Sequence, residues 1–262
     1  MILPKLFAFD VDGTLFNSQN RILDSTKEAL QLLETQGHKI ILASGRGPLS
    51  LEPVWEQLGR ELPYIGFNGA LVVDGSTVVF ERTLPAAGAE QAVQLAREYG
   101  LGINAYEGRR WVIEEENPYS AEEGRLVNAQ PELGDFGSLK KIHKLLMIGP
   151  AEAVRLYRDE LRARSDQLNV ALSLPNYCEV VNREVSKGRI LQKVCGYFGV
   201  ELEDTVAFGD GENDLELLAT AGLAVAMGNG HRALLAEADY VTASNDEDGI
   251  LQGVRWALNL AC

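Results

Sequence analysis

Phe7-Ala8-Phe9-Asp10-Val11-Asp12-Gly13-Thr14-Leu15 is the stretch whose reading decides the fold. An apolar run ends in two carboxylates two residues apart, followed by a glycine and a hydroxyl. A short apolar run closed by a turn signal reads as a buried strand. Extended residues two apart point the same way, so Asp10 and Asp12 are expected to face one site where the strand gives way to a loop. In an open parallel sheet that carboxyl edge is where ligands bind. Two acids this close repel each other, and a shared cation relieves the repulsion. Hard oxygen ligands favour Mg²⁺.

The 262 residues are long for one domain and comfortable for two. A net charge of −14 argues against a nucleic-acid partner, whose phosphates need a basic face, and against an anionic membrane surface. A small anionic substrate then requires cations within the site itself. Cys178, Cys195 and Cys262 form no CxxC pair and no disulfide framework, which fits a reducing compartment. Met1-Ile2-Leu3-Pro4-Lys5 lacks the features of a signal peptide, and no apolar run approaches the roughly 18 residues of a membrane span. A cytoplasmic protein is expected.

Outward from the opening stretch, Ser25-Thr26-Lys27-Glu28 matches a capping box before a helix that Gly37 stops. Lys39–Ala43 is continuously apolar after its first residue, as a strand covered on both faces should be. It ends in Ser44-Gly45-Arg46-Gly47, and a helix follows to about Leu58. A third strand, Tyr64–Phe67, ends in Asn68-Gly69. This β-α-β-α-β rhythm predicts a doubly wound, mostly parallel α/β sheet. A hairpin turns at Asp74-Gly75-Ser76. The pattern then changes: a helix over 85–99, strands over 102–106 and 110–114, a polar stretch over 115–140 without clear periodicity, a strand at 145–148, a helix over 151–164, and strands at 168–172 and 179–182. This reads as an inserted α+β domain over 83–183, an antiparallel sheet with helices on one face, between core segments 1–82 and 184–262. The first rhythm returns with a helix over 186–198, a strand at 205–208 ending in Gly209-Asp210-Gly211-Glu212-Asn213-Asp214, a strand at 223–226 followed by Met227-Gly228-Asn229, and a closing helix over 249–260.

Polar clusters thus stand at the core strand ends: Asp10/Asp12, Ser44-Gly45, Asn68 and Asp210/Asn213/Asp214, joined by Lys187 at a helix start. Carboxylates can hold a hard cation. Lys187, Ser44 and backbone N–H groups at helix N-termini can hold an anion beside it. A cation and an anion held together describe a Mg²⁺-assisted phosphate site, in which one carboxylate is left to act as nucleophile and form an aspartyl phosphate.

Asp10-Val11-Asp12-Gly13-Thr14, Ser44-Gly45-Arg46, Lys187 and Gly209-Asp210-Gly211-Glu212-Asn213-Asp214 resemble the four motifs of the haloacid dehalogenase superfamily. The order of the motifs and the large insert are most similar to its Cof-type phosphatases. The resemblance implies that Asp10 attacks phosphorus, and that Asp12 protonates the leaving oxygen, then activates water. It implies that Ser44 and the N–H groups of Val11 and Gly45 hold phosphoryl oxygens, with Lys187 neutralising charge and Asn213 reaching the phosphate. The metal falls to Asp10, the Asp12 carbonyl and Asp210, with Asp214 supporting its shell. The insert becomes a cap that reads the leaving group and excludes water. The expected function is a Mg²⁺-dependent phosphatase of small phosphorylated metabolites, with sugar phosphates as the expected class. A phosphomutase sharing the intermediate and a non-enzymatic phosphoacceptor are the other readings.

Plainer roles stand beside these. Ser44 can cap a helix, Asn68 can cap a turn or line the cleft, and Asp214 can favour a helix N-terminus. His38 and His231 are expected to be exposed, and His143 and Lys144 to lie at the cap surface. Cys178 reads as a half-buried strand residue and Glu114-Glu115-Glu116 as a solvated face; Tyr106, Arg109, Arg110 and Tyr177 are candidates for sugar or second-phosphate contacts, with core aromatics or solvated turns the favoured reading.

Overall fold

A computed structural model describes residues 5–259 of the chain. Cys262, Leu260 and the first four residues read above lie outside the described residues. Along the chain the elements are β1 (Leu6–Phe9), α1 (Asp24–Thr35), β2 (Lys39–Ala43), α2 (Pro48–Leu58), β3 (Tyr64–Gly66), β4 (Leu71–Asp74) and β5 (Thr77–Glu81). Then follow α3 (Ala86–Glu98), β6 (Gly102–Glu107), β7 (Arg110–Ile113), α4 (Pro118–Val127), β8 (Glu132–Leu133), β9 (Lys144–Ile148), α5 (Ala151–Arg164), β10 (Leu168–Leu174) and β11 (Tyr177–Asn182). The last are α6 (Lys187–Phe198), β12 (Thr205–Gly209), α7 (Leu215–Thr220), β13 (Leu223–Ala226), α8 (Arg232–Glu237), β14 (Tyr240–Val241) and α9 (Gly249–Ala257). No helix among the described residues is long and apolar enough to cross a membrane.

The chain divides into two compact units. One holds the residues up to Gly45, Val54–Phe80 and those from Ser186 on; the other holds Arg46–Pro53 and Glu81–Val185. The first unit is built on an eight-stranded sheet in the order β14-β13-β12-β1-β2-β3-β4-β5. β1 pairs in parallel with both β2 and β12, so the strand order reverses on either side of it. That reversal opens a crevice at the carboxyl end of β1.

Alternation along β1 feeds both faces of this sheet. Leu6 and Ala8 join a core with Ile41, Ile190, Leu191, Val194, Ala207 and Leu217, under α6 and α7. Phe9 stacks on Phe208 with centroids 4.7 Å apart on the opposite face. There α9 comes so close that a Cβ on Gly253 would stand 2.5 Å from the Phe208 ring. Strands covered on both faces must be apolar throughout, which is why β1 and β12 are buried from end to end.

Two local expectations fail in this unit. Ser25 does not cap α1; the N-cap is Leu23, with no side-chain hydrogen bond, because the helix already begins at Asp24. His38 is buried rather than exposed: its Nδ1 accepts from Lys5 N at 3.0 Å, and its ring lies 5.5 Å from that of Phe7. The third strand also stops at Gly66, one residue early, where a 3₁₀ turn takes over.

The second unit carries a six-stranded sheet in the order β10-β11-β9-β6-β7-β8. Its pairings are antiparallel apart from β7 with β8. Ile103, Ala105, Leu145, Met147, Cys178 and Val180 face a core shared with Ala92, Val93, Val154, Tyr157 and Leu161 of α3 and α5. Cys178 is therefore fully buried rather than half-buried.

The stretch 115–140 is not structureless, and helices are not confined to one face. It contains α4, whose N-cap Asn117 accepts from Ser120 N at 2.9 Å, with Pro118 in the first turn and Asn128 as a left-handed C-cap. Ser120 Oγ and Trp111 Nε1 both donate to Asn104 Oδ1 at 3.0 Å, so α4 sits on the face of β6 turned away from Ile103 and Ala105. Lys144 is buried there too, with Nζ 3.0 Å from Glu179 Oε1 and 5.2 Å from the Tyr106 ring centroid. Tyr106 and Tyr177 are buried, while Arg110 is exposed and paired with Glu107 and Glu132.

His143 is likewise buried rather than at the surface. Its Nδ1 accepts from Gly108 N at 3.1 Å, which leaves the proton on Nε2, 3.2 Å from Glu81 Oε1. Burial lowers its pKa from the usual 6.5, against the opposing pull of Glu81. The unfolded chain then binds the extra proton first, so stability is present above 6.5 and is lost as pH falls towards the folded-state pKa. His143→Gln should lose less melting temperature than the parent between about pH 7 and pH 5 in a thermal scan; equal slopes would contradict this.

Candidate active site

Register brings the core motifs to one edge. Phe9 stands opposite Leu42 of β2 and Phe208 of β12, so Asp10 leaves the sheet beside the strand ends that lead into Ser44-Gly45 and Asp210. Asp10 N donates to Phe208 O at 3.0 Å and holds the residue there. β1 ends at Phe9, so the alternation that was to keep Asp10 and Asp12 on one side no longer applies beyond it. Asp10 is buried and Asp12 is exposed.

Lys187 is the first residue of α6, whose N-cap Ser186 accepts from Arg189 N at 3.1 Å. Its fully buried side chain places Nζ 2.6 Å from Asp10 Oδ1 and 2.6 Å from Asp214 Oδ1. Asp214 is also completely buried. Its other oxygen accepts from the backbone N–H groups of Asp210 (3.2 Å) and Gly211 (3.0 Å). Asp214 therefore does more than favour a helix terminus: it ties the loop after β12 to Lys187.

Thr14 closes the ring by donating from Oγ1 to Asp210 Oδ1 at 2.9 Å. Gly13 makes that approach possible. Its φ of +82° is left-handed, and a Cβ there would collide with the Asp210 carboxylate. Ser44 is buried, its N donating to Ile65 O at 2.8 Å and its carbonyl accepting from Asn68 N at 3.0 Å. Asn68 is left-handed at φ +55°, with its amide against Gly45. Asn213 is exposed on the loop between Asp210 and Asp214.

Three carboxylates confront one ammonium. Burial, and then Asp214, push the Asp10 carboxyl well above the usual range, against the pull of Lys187. Burial also pushes Asp210 up, to about 6, with the Thr14 hydrogen bond opposing it. For Lys187 burial works against the charge, yet Asp10 and Asp214 outweigh it and raise its pKa. A second cation would relieve this excess of buried negative charge. Asp10, Asp210 and Asp214 can each offer a carboxylate oxygen, all within 4.8 Å of one another, and such an all-oxygen set fits a hard divalent ion.

Two contributions were not read from the sequence. Thr14, within the opening stretch, supplies one of them through its bond to Asp210. The loop after β1 is also held by Asn229 and Asn245, from the turns after β13 and β14: Asn229 Nδ2 donates to Gly13 O and Asn245 Nδ2 to Phe16 O, both at 2.8 Å. The signal for Asn229 was its position just past a strand end, like the other clusters.

Residues 7–254 match the haloacid dehalogenase-like hydrolases. The chain is 32% identical over 255 residues to YkrA of Bacillus subtilis, a protein named as a phosphatase, covering 96% of each chain. It is 30% identical over 258 residues to YitU of the same organism, named as a 5-amino-6-(5-phospho-D-ribitylamino)uracil phosphatase, covering 94% of this chain and 95% of that one. Among solved structures, a haloacid dehalogenase-like hydrolase from Bacteroides thetaiotaomicron aligns with a TM-score of 0.89 and 30% identity, covering 97% of this chain and 99% of that one.

Proposed function

The chain belongs to the haloacid dehalogenase-like hydrolases and is a phosphatase of that family, and from this premise we propose that it is a Mg²⁺-dependent phosphatase working through an aspartyl phosphate on Asp10. The observation that carries the reading is the buried Lys187 ammonium bridging Asp10 and Asp214, with Asp210 as a third carboxylate beside them. Phosphoryl transfer needs in-line positioning and charge neutralisation above all, and a cluster of this kind, with a nucleophile, an ammonium and carboxylates that can hold a metal, is suited to that chemistry.

An Asp10 carboxylate oxygen forms a bond to phosphorus as the bond from phosphorus to the leaving oxygen breaks. The Asp12 carboxyl gives its proton to that oxygen, so a neutral alcohol departs. Asp12, now a carboxylate, takes a proton from water as the water oxygen attacks phosphorus. The bond to Asp10 breaks, and phosphate leaves. Ser44, Asn213 and the N–H groups of Val11 and Gly45 hold the phosphoryl oxygens. Lys187 offsets the charge that builds between nucleophile and phosphoryl group.

Asp10, Asp210 and the Asp12 carbonyl would hold the metal, and Asp214, already engaged through both oxygens, would orient its surroundings. When bound, Mg²⁺ polarises the phosphoryl group and neutralises its charge. The inserted segment 83–183 serves as the cap that selects the leaving group. A small sugar or sugar-alcohol phosphate is the substrate class, in keeping with the phosphorylated ribityl chain in the name of the YitU relative.

Phosphate release from a panel of phosphorylated metabolites, with Mg²⁺ or with EDTA, tests the proposal. Release with Mg²⁺ that stops in EDTA is expected, fastest on sugar and polyol phosphates. Release indifferent to EDTA, or isomerised substrate without free phosphate, would contradict it.

A further inference from the structure

We propose that Asn229 and Asn245 are positioning residues that act through Asp12. The proposal rests on the acid–base role given to Asp12 above. Asp12 is exposed just beyond β1, on a loop whose Val11, Thr14, Leu15 and Phe16 are buried and in which Asp12 is bridged to Phe16. The loop is partly closed on itself by Leu15 N to Asp10 O (3.3 Å) and Phe16 N to Val11 O (2.8 Å). Two further carbonyls, Gly13 O and Phe16 O, receive amide donors from outside: Asn229 Nδ2 and Asn245 Nδ2, each at 2.8 Å. Asn229 Oδ1 in turn accepts from Asn245 N at 2.9 Å. The Asn229 side chain therefore holds both Gly13 O and the backbone that carries Asn245, and the two asparagines form one relay.

The relay is anchored at the other end to the site itself. The turn that carries Asn229 is closed by Gly230 N to Met227 O at 2.8 Å. It hangs on the end of β12 through Met227 N to Gly209 O (3.0 Å) and His231 N to Asp210 O (2.8 Å). One short turn thus touches the backbone of Asp210 on one side and the peptide carbonyl after Asp12 on the other. Thr14 Oγ1 on Asp210 closes the frame from within. Gly13, with its left-handed φ, is the least restrained residue of the loop in an unfolded chain. The amide on its carbonyl removes that freedom at the residue next to Asp12. A proton donor misplaced by about 1 Å costs on the order of a hundredfold in rate, so a loop hydrogen bond worth little in stability carries weight in turnover.

Asn229→Ala should lower kcat about ten- to a hundredfold with KM little changed, because Ser44 and Lys187 still hold the phosphate. It should leave the melting temperature close to that of the parent. Asn229→Asp keeps the acceptor for Asn245 N but loses the donor to Gly13 O, so it should behave as the alanine variant does. Asn245→Ala keeps its backbone N–H on Asn229 and should give a smaller loss, and adding it to Asn229→Ala, which already frees the Asn245 backbone, should cost less than it does alone.

The deciding experiment is a cycle with Asp12→Asn, following phosphoenzyme breakdown after rapid mixing. If the amides act through Asp12, Asn229→Ala slows breakdown in the parent and adds nothing in the Asp12→Asn background. Full additivity in that background would overturn the relay while leaving the role of Asp12 intact. So would a parent-like kcat in Asn229→Ala, or a kcat loss matched by a fall in melting temperature. Unchanged breakdown in Asp12→Asn alone would instead overturn the acid–base reading on which the relay depends.

Discussion

Asp10→Asn is expected to abolish phosphate release, with a loss of about 10³–10⁶ in kcat, because an amide oxygen cannot replace the carboxylate as nucleophile. The substitution keeps the shape of the side chain and both neighbours of the ring. Its effect on stability should run the other way. Asp10 and Asp214 are buried carboxylates that share a single Lys187 ammonium, and burial disfavours the ionised form of Asp10. Removing one of two competing charges relieves repulsion, so the melting temperature should hold or rise. Lost turnover with retained or raised stability is the signature of a site that sacrifices stability for function. A variant that turns over at near-parent rates would remove Asp10 from the nucleophile's role. A variant that simply melts would leave the kinetic loss without meaning.

Lys187→Met is expected to have the largest effect on folding. The methionine fits a comparable volume, but it leaves Asp10 and Asp214 buried with no cation between them. Breaking a buried ion pair from one side costs about 3–5 kcal/mol, far more than the intact pair contributes. In a chain of this size that corresponds to a fall of roughly 10 °C in melting temperature. Phosphate release should disappear as well. The double variant Lys187→Met/Asp214→Asn should recover part of the lost stability, since one of the stranded charges is gone, yet recover no activity. A Lys187→Met protein that melts with the parent would show that the three-residue ion cluster contributes nothing to the fold.

The core was legible because its physics is local. Strands such as β1, β2 and β12 are covered on both faces and must be apolar throughout, and that pattern stands out between polar strand ends. Asp10, Lys187, Asp210 and Asp214 could be gathered from three distant segments because each follows or precedes such a strand or helix end. α4 was not legible: its apolar positions are few, and its start at Asn117-Pro118 lies within a polar stretch that shows no clear period. The burial of His38 and His143 depends on partners 33 and 35 residues away, Lys5 and Gly108, which no periodicity reveals. The split between a buried Asp10 and an exposed Asp12 follows from the strand ending at Phe9, one residue before the spacing rule was applied. The Asn229 contact on Gly13 O spans 216 residues and involves a backbone carbonyl, which leaves no trace in residue types.

The most direct measurement is the mass of the Asp12→Asn protein, acid-quenched during turnover of a phosphorylated substrate that the parent hydrolyses, with the modified peptide mapped. With an aryl phosphate as that substrate, whose leaving oxygen needs no proton, Asp10 is still phosphorylated, and without the carboxyl that activates water the intermediate should build up. One phosphoryl group should appear on the peptide that carries Asp10, and reduction with borohydride should convert that residue to homoserine. A phosphoryl group on any other residue, or an unmodified protein while substrate is still being hydrolysed, would contradict a mechanism that passes through Asp10.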